Sequence, residues 1–247
     1  MRRNRLKTLI FTDIHANLEA LEAILLSGER LNVDRYVCLG DVVGYYADPE
    51  ACVKLIREMG VICIQGNHDG VASGLEKPLD FNPMAAEAIL WTQNKLSAES
   101  RMWLAELPVR VGFDNDFYGV HGSIRDRDEY LLSRYSIEAN FEEIEKRDMP
   151  NIVFFGHTHR RVVYSKGQDI MQVEFNDVLQ LRDERPYLIN PGGAGQPRDG
   201  TIGAPFAVLE GHSLMFHVAD YDIDRTAKKV LKLPFGDLLA RRLHEGV

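Results

Sequence analysis

The sequence predicts an α/β fold of packed layers that includes a second sheet, and three observations carry that prediction. Short β-rich runs alternate with helical patterns through the first two thirds of the chain, the pattern of layered α/β architecture. From Arg161 onward strand follows strand, which calls for a second sheet to hold them. The 247 residues, 45% hydrophobic and 27% charged, suffice to bury one sizeable core, so a single domain over 1–247 is expected.

The elements follow in order. Residues 7–12 read as a strand, 18–26 as a helix, 35–39 as a strand, 50–59 as a helix and 61–64 as a strand. The rhythm then changes: 82–106, carrying Trp91 and Trp103, is helical with a break near Ser97, and it reads as an insertion across the core. The wider span 70–108 is a candidate helical cap. Strands resume over 109–113 and 117–120, a helix over 137–147 and a strong apolar strand over 152–155. Beyond it, 162–164, 187–189, 206–209 and 214–218 are strands. Residues 222–247 form a C-terminal helical segment, with Phe235, Leu238, Leu239 and Leu243 at helical spacing to cover a sheet face. Internal repeats, low-complexity segments and linkers are absent from the sequence.

Composition narrows the function classes. A net charge of −8 argues against an electrostatic grip on long nucleic acid. No apolar stretch approaches membrane-spanning length, and the basic opening MRRNRLK is followed only by Thr8 to Phe11 before Asp13, so no membrane anchor or secretion signal is expected. Cys38, Cys52 and Cys63 are odd in number and lack metal-type spacing, as expected of reduced core residues in a cytoplasmic protein.

The chemistry sits where the apolar runs end. TLIFTDIH, YVCLGD, VICIQGNHD, FYGVHG and IVFFGHTH all terminate in Asp, Asn or His, and five of the eight histidines (His15, His68, His121, His157, His159) lie there. Ligands in open α/β sheets bind beyond the carboxyl ends of strands. Asp13 and His15 are two residues apart, as are His157 and His159, so each pair can address one point in space. Glycines at 40, 66, 122 and 156 adjoin these residues, as expected where backbone approaches a site closely. Singly, each has a plainer reading: Asp41 or Asn67 capping a turn, Asn17 capping a helix, His68 satisfied in the core. Together they point to a metal site. His212, His217 and His244 lie elsewhere and read as ordinary polar residues.

The ordered motifs Asp13-Ile14-His15, Gly40-Asp41, Gly66-Asn67-His68-Asp69, His121-Gly122-Ser123 and Gly156-His157-Thr158-His159 resemble those of calcineurin-like metallophosphoesterases. The stretches GDVVGYYADPEACV, NPGGAGQPRDG and LPFGDLLARRLHEG extend the resemblance over nearly the whole chain, toward the family's small prokaryotic phosphodiesterase branch. The resemblance implies a four-layer αββα sandwich, two mixed β-sheets packed face to face and flanked by helices. It also implies two divalent ions, one held by Asp13, His15, Asp41 and His159, the other by Asp41, Asn67, His121 and His157, with Asp41 bridging. Such a pair, about 4 Å apart, shares a carboxylate and a water, and clamps the attacking and leaving oxygens at phosphorus. A bridging hydroxide would attack, with Asp41 and Asn67 in the catalytic centre. His68 would hydrogen-bond a phosphate oxygen or protonate the leaving group, and Asp69 would be structural. The nitrogen and oxygen ligand set suits Mn²⁺, Fe²⁺, Zn²⁺ or Ni²⁺.

The implied activity is hydrolysis of a small phosphodiester or phosphomonoester, nucleotide-derived compounds included. Within NPGGAGQPRDG, Arg198 has two readings, a substrate-binding fork toward phosphate or a surface pair with Asp199. Arg125 and Arg127 are expected in a solvated charged turn, and Phe81, Trp91 and Trp103 in packing rather than stacking a base. Two departures stand out: Ala16 and Gly193 occupy positions where relatives often carry Gly and Ser. The Arg of the GDxVxRG-like motif shared by protein serine/threonine phosphatases and symmetrical dinucleoside tetraphosphatases is also missing, because Gly44, Tyr45 and Tyr46 stand there. That weighs against both as alternatives. A non-catalytic binding module on the same fold is the remaining alternative, against which the complete ligand set argues.

Overall fold

The computed structural model describes residues 6–113, 116–168, 170–171 and 173–247. Residues 1–5 of the basic opening lie outside them. The strands are β1 (Lys7–Phe11), β2 (Arg35–Cys38), β3 (Ile62–Cys63), β4 (Arg110–Phe113), β5 (Phe117–Val120), β6 (Ile152–Phe154), β7 (Val162–Ser165), β8 (Val178–Gln180), β9 (Tyr187–Asn190), β10 (Ala204–Glu210) and β11 (Ser213–Ala219). The helices are α1 (Leu18–Arg30), α2 (Pro49–Glu58), α3 (Asn67–Ser73), α4 (Pro83–Lys95), α5 (Ala98–Glu106), α6 (Arg134–Lys146), α7 (Ile223–Val230) and α8 (Gly236–Glu245).

Both sheets are mixed. The first runs β3-β2-β1-β10-β11-β8, its first three strands parallel and the rest antiparallel. The second runs β4-β5-β6-β9-β7, with β5, β6 and β9 parallel. Alternation along the strands explains the continuous apolar runs. Ile10, Val37 and Leu39 of the first sheet meet Phe113, Phe117, Ile152 and Phe154 of the second in one core between them. Leu9, Phe11 and Cys38 face the other way, onto Leu21, Ile24, Val53 and Ile56 of α1 and α2. Val153 and Phe155 turn outward onto Phe141 and Ile144 of α6. Both faces of these strands are buried, so neither side of the sequence pattern needs polar residues.

Helix starts obey local chemistry. The Asn17 side chain accepts from Ala20 N–H and starts α1, as its capping reading expects. The break near Ser97 is a second cap: its hydroxyl accepts from Ser100 N–H and starts α5. α6 begins at Arg134, three residues ahead of the expected start, because Ser133 caps it reciprocally with Ser136. Two elements go beyond the sequence expectations: β8 is a three-residue edge strand, and α3 is a short helix whose own first turn carries ligand-type residues. Trp103 and Trp91 pack at the margins of two apolar clusters. All three cysteines are buried and free. No described helix is long and apolar enough to cross a membrane.

Phe154 is fully buried between the sheets. Phe154→Ala is expected to lower unfolding free energy by about 3–5 kcal/mol in equilibrium urea denaturation.

Candidate metal centre

The carboxyl ends of β1, β2, β3, β5 and β6 converge on one edge of the sandwich. Past those ends the loops lace together through main-chain bonds: Asp13 N–H and His15 N–H donate to the carbonyls of Gly40 and Asp41 at 3.0 and 2.9 Å, and Gly156 N–H donates to His121 at 2.7 Å. Ala194 N–H and Gly195 N–H donate to Thr12 and Asp13, which brings the 190–200 loop to the same edge.

This lacing brings Asp13, His15, Asp41, Asn67, His121, His157 and His159 together. His15 Nε2 lies 3.1 Å from His159 Nε2, and His159 Nε2 lies 3.4 Å from Asp13 Oδ1. Asp41 sits in the middle, its Oδ2 3.6 Å from His15 Nε2 and 3.4 Å from His121 Nε2. Asn67 Oδ1 is 3.1 Å from His121 Nε2. Asp13, His15 and His159 form one group with metal-ligand spacing, and Asp41, His121 and His157 another. All seven are buried. His212, His217 and His244 lie outside these groups.

The outer ring nitrogens decide the tautomers. His15 Nδ1 faces Val43 O at 3.1 Å, His121 Nδ1 faces Leu39 O at 2.8 Å, His159 Nδ1 faces Gln196 O at 2.6 Å and His157 Nε2 faces Asp128 O at 3.1 Å. A carbonyl only accepts, so each outer nitrogen donates, and on His15, His157 and His159, which burial keeps neutral, the other nitrogen is left as an inward lone pair. Two such lone pairs 3.1 Å apart repel unless positive charge lies between them. The residues therefore fit divalent cations, which the nitrogen and oxygen donors suit.

Electrostatics agree. Burial pushes Asp13 up to about 7. Burial also resists charge on His121, yet Asp41, through its field and hydrogen bond, and Asp13 hold that ring up at about 10. Burial opposes ionised Asp41 as well, but His121 and His68 hold it well below the usual carboxylate range. Burial drives His157 down to about 3 and His68 to about 4, and it takes His15 and His159 well below the imidazole range. Without metal, a proton on His121 serves as the counter-charge for the carboxylates.

The backbone is strained in the same place. Asp13, His15, Asp41, His157 and His159 all have left-handed φ, between 52° and 63°. Such values are uncommon outside glycine and cluster at functional sites. Ala16 shares this conformation at 61°, where glycine would be unstrained. Gly66 is required by contact: a Cβ there would lie 2.1 Å from Asp41 Oδ1. At Gly193 a Cβ would lie 2.7 Å from His159 Cβ, so this loop has no room for a serine without a shift.

Around the candidate ligands, Asn67 and His68 begin α3, and Asp69 ties the turn by accepting from Gly66 N–H at 3.0 Å and Val43 N–H at 3.2 Å. The His68 ring lies 4.5 Å from Phe81, and Nδ1 is buried without a partner. Beside it opens a cleft of about 180 Å³, walled by Tyr45, Asn67, His68, Phe81, Tyr130 and His157. Phe81 thus faces the site as well as the core. Arg198 lies near its rim, while the Asp199 carboxylate accepts from Arg161 and Thr201 N–H groups. Arg127 departs from the solvated reading: half-buried, it forks onto Glu76 at 2.7 and 2.6 Å and reaches Gln65, because Glu76 is brought beside it from 51 residues away. Arg125 stays exposed beside Glu129. Sequence reasoning gave no role to Tyr45, Tyr130 or Gln196. Tyr45 was visible only as the missing Arg, and Tyr130 lies in no motif.

The model of the Calcineurin-like phosphoesterase superfamily domain matches residues 6–213, and the chain belongs to that superfamily. A metallophosphoesterase of Sphaerobacter thermophilus superposes with a TM-score of 0.86 at 35% identity, over 99% of this chain and 100% of that one. MJ0912, an uncharacterized protein of Methanocaldococcus jannaschii, is 32% identical over 244 residues, 96% of this chain and 97% of the relative. Protein PH1004 of Pyrococcus horikoshii shares the fold, with a TM-score of 0.79 at 18% identity over 98% of each chain. The chain is therefore of the metallophosphoesterase class, a hydrolase family that uses divalent metals, with clustered Asp and His residues as candidate ligands.

A metal held by these candidate ligands would displace protons from His121, held up at about 10, and Asp13, pushed up to about 7. Metal affinity should fall as pH falls, with release of on the order of one proton per chain at neutrality. Calorimetric titration of Mn²⁺ in buffers of different ionisation enthalpy measures both.

Proposed function

We propose that this protein is a phosphoesterase that uses two divalent ions to hydrolyse a small phosphodiester, with phosphomonoesters as poorer substrates. The observation that carries this reading is the set of inward imidazole lone pairs arranged around Asp13 and Asp41, with Asp41 between two histidines. One ion would be held by Asp13, His15, Asp41 and His159, and the other by Asp41, Asn67, His121 and His157. The ions, when bound, would supply a nucleophile from water at neutral pH and neutralise charge at phosphorus; Mn²⁺, Fe²⁺, Zn²⁺ and Ni²⁺ all suit the donors.

The chain's own residues do the rest. Asp41 and Asn67 keep the two halves of the site in register, Asp41 Oδ1 being fixed by His68 N–H at 2.9 Å. His68 borders the cleft and offers a ring N–H to a phosphoryl oxygen or to the departing oxygen. Arg198 adds a guanidinium at the rim. The segment between β3 and β4 walls one side, with Phe81 against His68, and is suited to serve as a cap. At the same cleft Arg127 pairs with both Glu76 and Asp128, and Lys77 lies beside Asp80, so among the described residues no excess of cationic side chains awaits a polyphosphate, which supports a monoanionic diester over a dinucleoside polyphosphate. The net charge of −8 supports a small substrate over long nucleic acid, and the three reduced cysteines support residence in the cytoplasm.

Chelation should abolish hydrolysis of bis(p-nitrophenyl) phosphate, and restoring Mn²⁺, Fe²⁺, Zn²⁺ or Ni²⁺ singly should recover it with at least one ion, faster than p-nitrophenyl phosphate; a chain inactive with every ion would refute the assignment. Asp41→Asn should lose metal and slow turnover by at least about 10³-fold. His68→Ala should keep full metal content by elemental analysis while losing about 10²-fold in kcat.

A further inference from the structure

We propose that Tyr45, Tyr130 and Arg198, brought together from three separate loops, form a pocket that grips the non-esterified oxygens of the substrate's phosphoryl group. The proposal rests on the phosphoesterase reading and names residues that grip its substrate.

Arg198 is held over the cluster by its own backbone, whose N–H donates to His159 O at 3.0 Å. Its Nη2 reaches Gln196 Oε1 at 3.1 Å and Tyr45 Oη at 3.5 Å, and its Nε is buried without a partner. Among the described residues it forms no ion pair, since Asp199 is committed to main-chain N–H groups. A guanidinium so placed has donors to spare, and a bidentate acceptor such as phosphate is the group that uses them.

The two phenols stand on either side. Tyr45 has φ of 57°, a conformation a bulky side chain rarely adopts, and it holds its ring 4.6 Å from His15 and 4.8 Å from His68. Its contact with Arg198 is too long to be a strong hydrogen bond, so both groups can turn to a shared acceptor. Tyr130 remains 48% exposed although its ring centroid lies 3.9 Å from that of His157, and its phenol lies within the field of the Arg198 guanidinium. Both tyrosines line the cleft that His68 borders. One cation and two neutral donors suit a singly charged oxyanion.

The test is calorimetric binding of inorganic phosphate to metal-loaded and metal-free protein, combined with KM and kcat for bis(p-nitrophenyl) phosphate. Tyr45→Phe and Tyr130→Phe preserve the rings and remove only the hydroxyls. Each should weaken phosphate about ten-fold and raise KM in step, with metal content and melting temperature unchanged. Arg198→Gln should weaken phosphate about 100-fold; should it fail to fold, Arg198→Lys, which keeps the charge and loses the fork, should show an intermediate loss. Phosphate binding within two-fold of wild type in both Phe variants, or no measurable phosphate binding to wild type, overturns the pocket. A wild type that binds phosphate through these residues yet hydrolyses neither ester supports the pocket and refutes the proposed function instead.

Discussion

Two unprotonated imidazole nitrogens 3.1 Å apart, with two buried carboxylates beside them, persist in a packed interior only when positive charge is shared among them. Everything around the cluster follows from that requirement. Four main-chain carbonyls, from Leu39, Val43, Asp128 and Gln196, take up the outer ring nitrogens and so prevent the histidines from relieving the repulsion by turning. The rings are locked in the orientation that is worst without a cation and best with one.

The cost of this arrangement is carried by the rest of the fold. Five ligand-type residues sit in left-handed backbone, each a strained choice for a side chain with a Cβ, and polar groups are buried at the strand ends that meet there. Two sheets packed through Phe154, Phe117, Val37 and Ile10, each backed by helices, keep the strand ends rigid enough to hold that strain. Parallel strands contribute in a further way. Because β1, β2 and β3 run together, as do β5 and β6, successive loops leave the sandwich at the same edge without any long excursion.

Much of this was legible in the sequence, and for identifiable reasons. Strands buried on both faces leave unbroken apolar runs, so Ile152-Val153-Phe154-Phe155 marks itself, and imidazoles placed directly after such a run serve packing poorly and a cation well. Asn17 and Ser97 act within three residues of themselves, so their capping was readable or nearly so. The short strand β8 was not, because an edge of three residues carries too little pattern to stand out. The burial of Arg127 was hidden for a different reason: its partners Glu76 and Gln65 are 51 and 62 residues away, and nothing local announces them.

The sequence by itself determined the candidate ligand types, their order along the chain and the strands that end in them, since each depends on chemistry within a few residues. Only the tertiary structure decided that Asp41 stands between His15 and His121, which carbonyl sets each tautomer, and that Tyr45 meets Arg198 from 153 residues away. Those relations arise where loops from different strands touch, and side-chain direction at a contact is settled by packing of the whole core rather than by any local pattern.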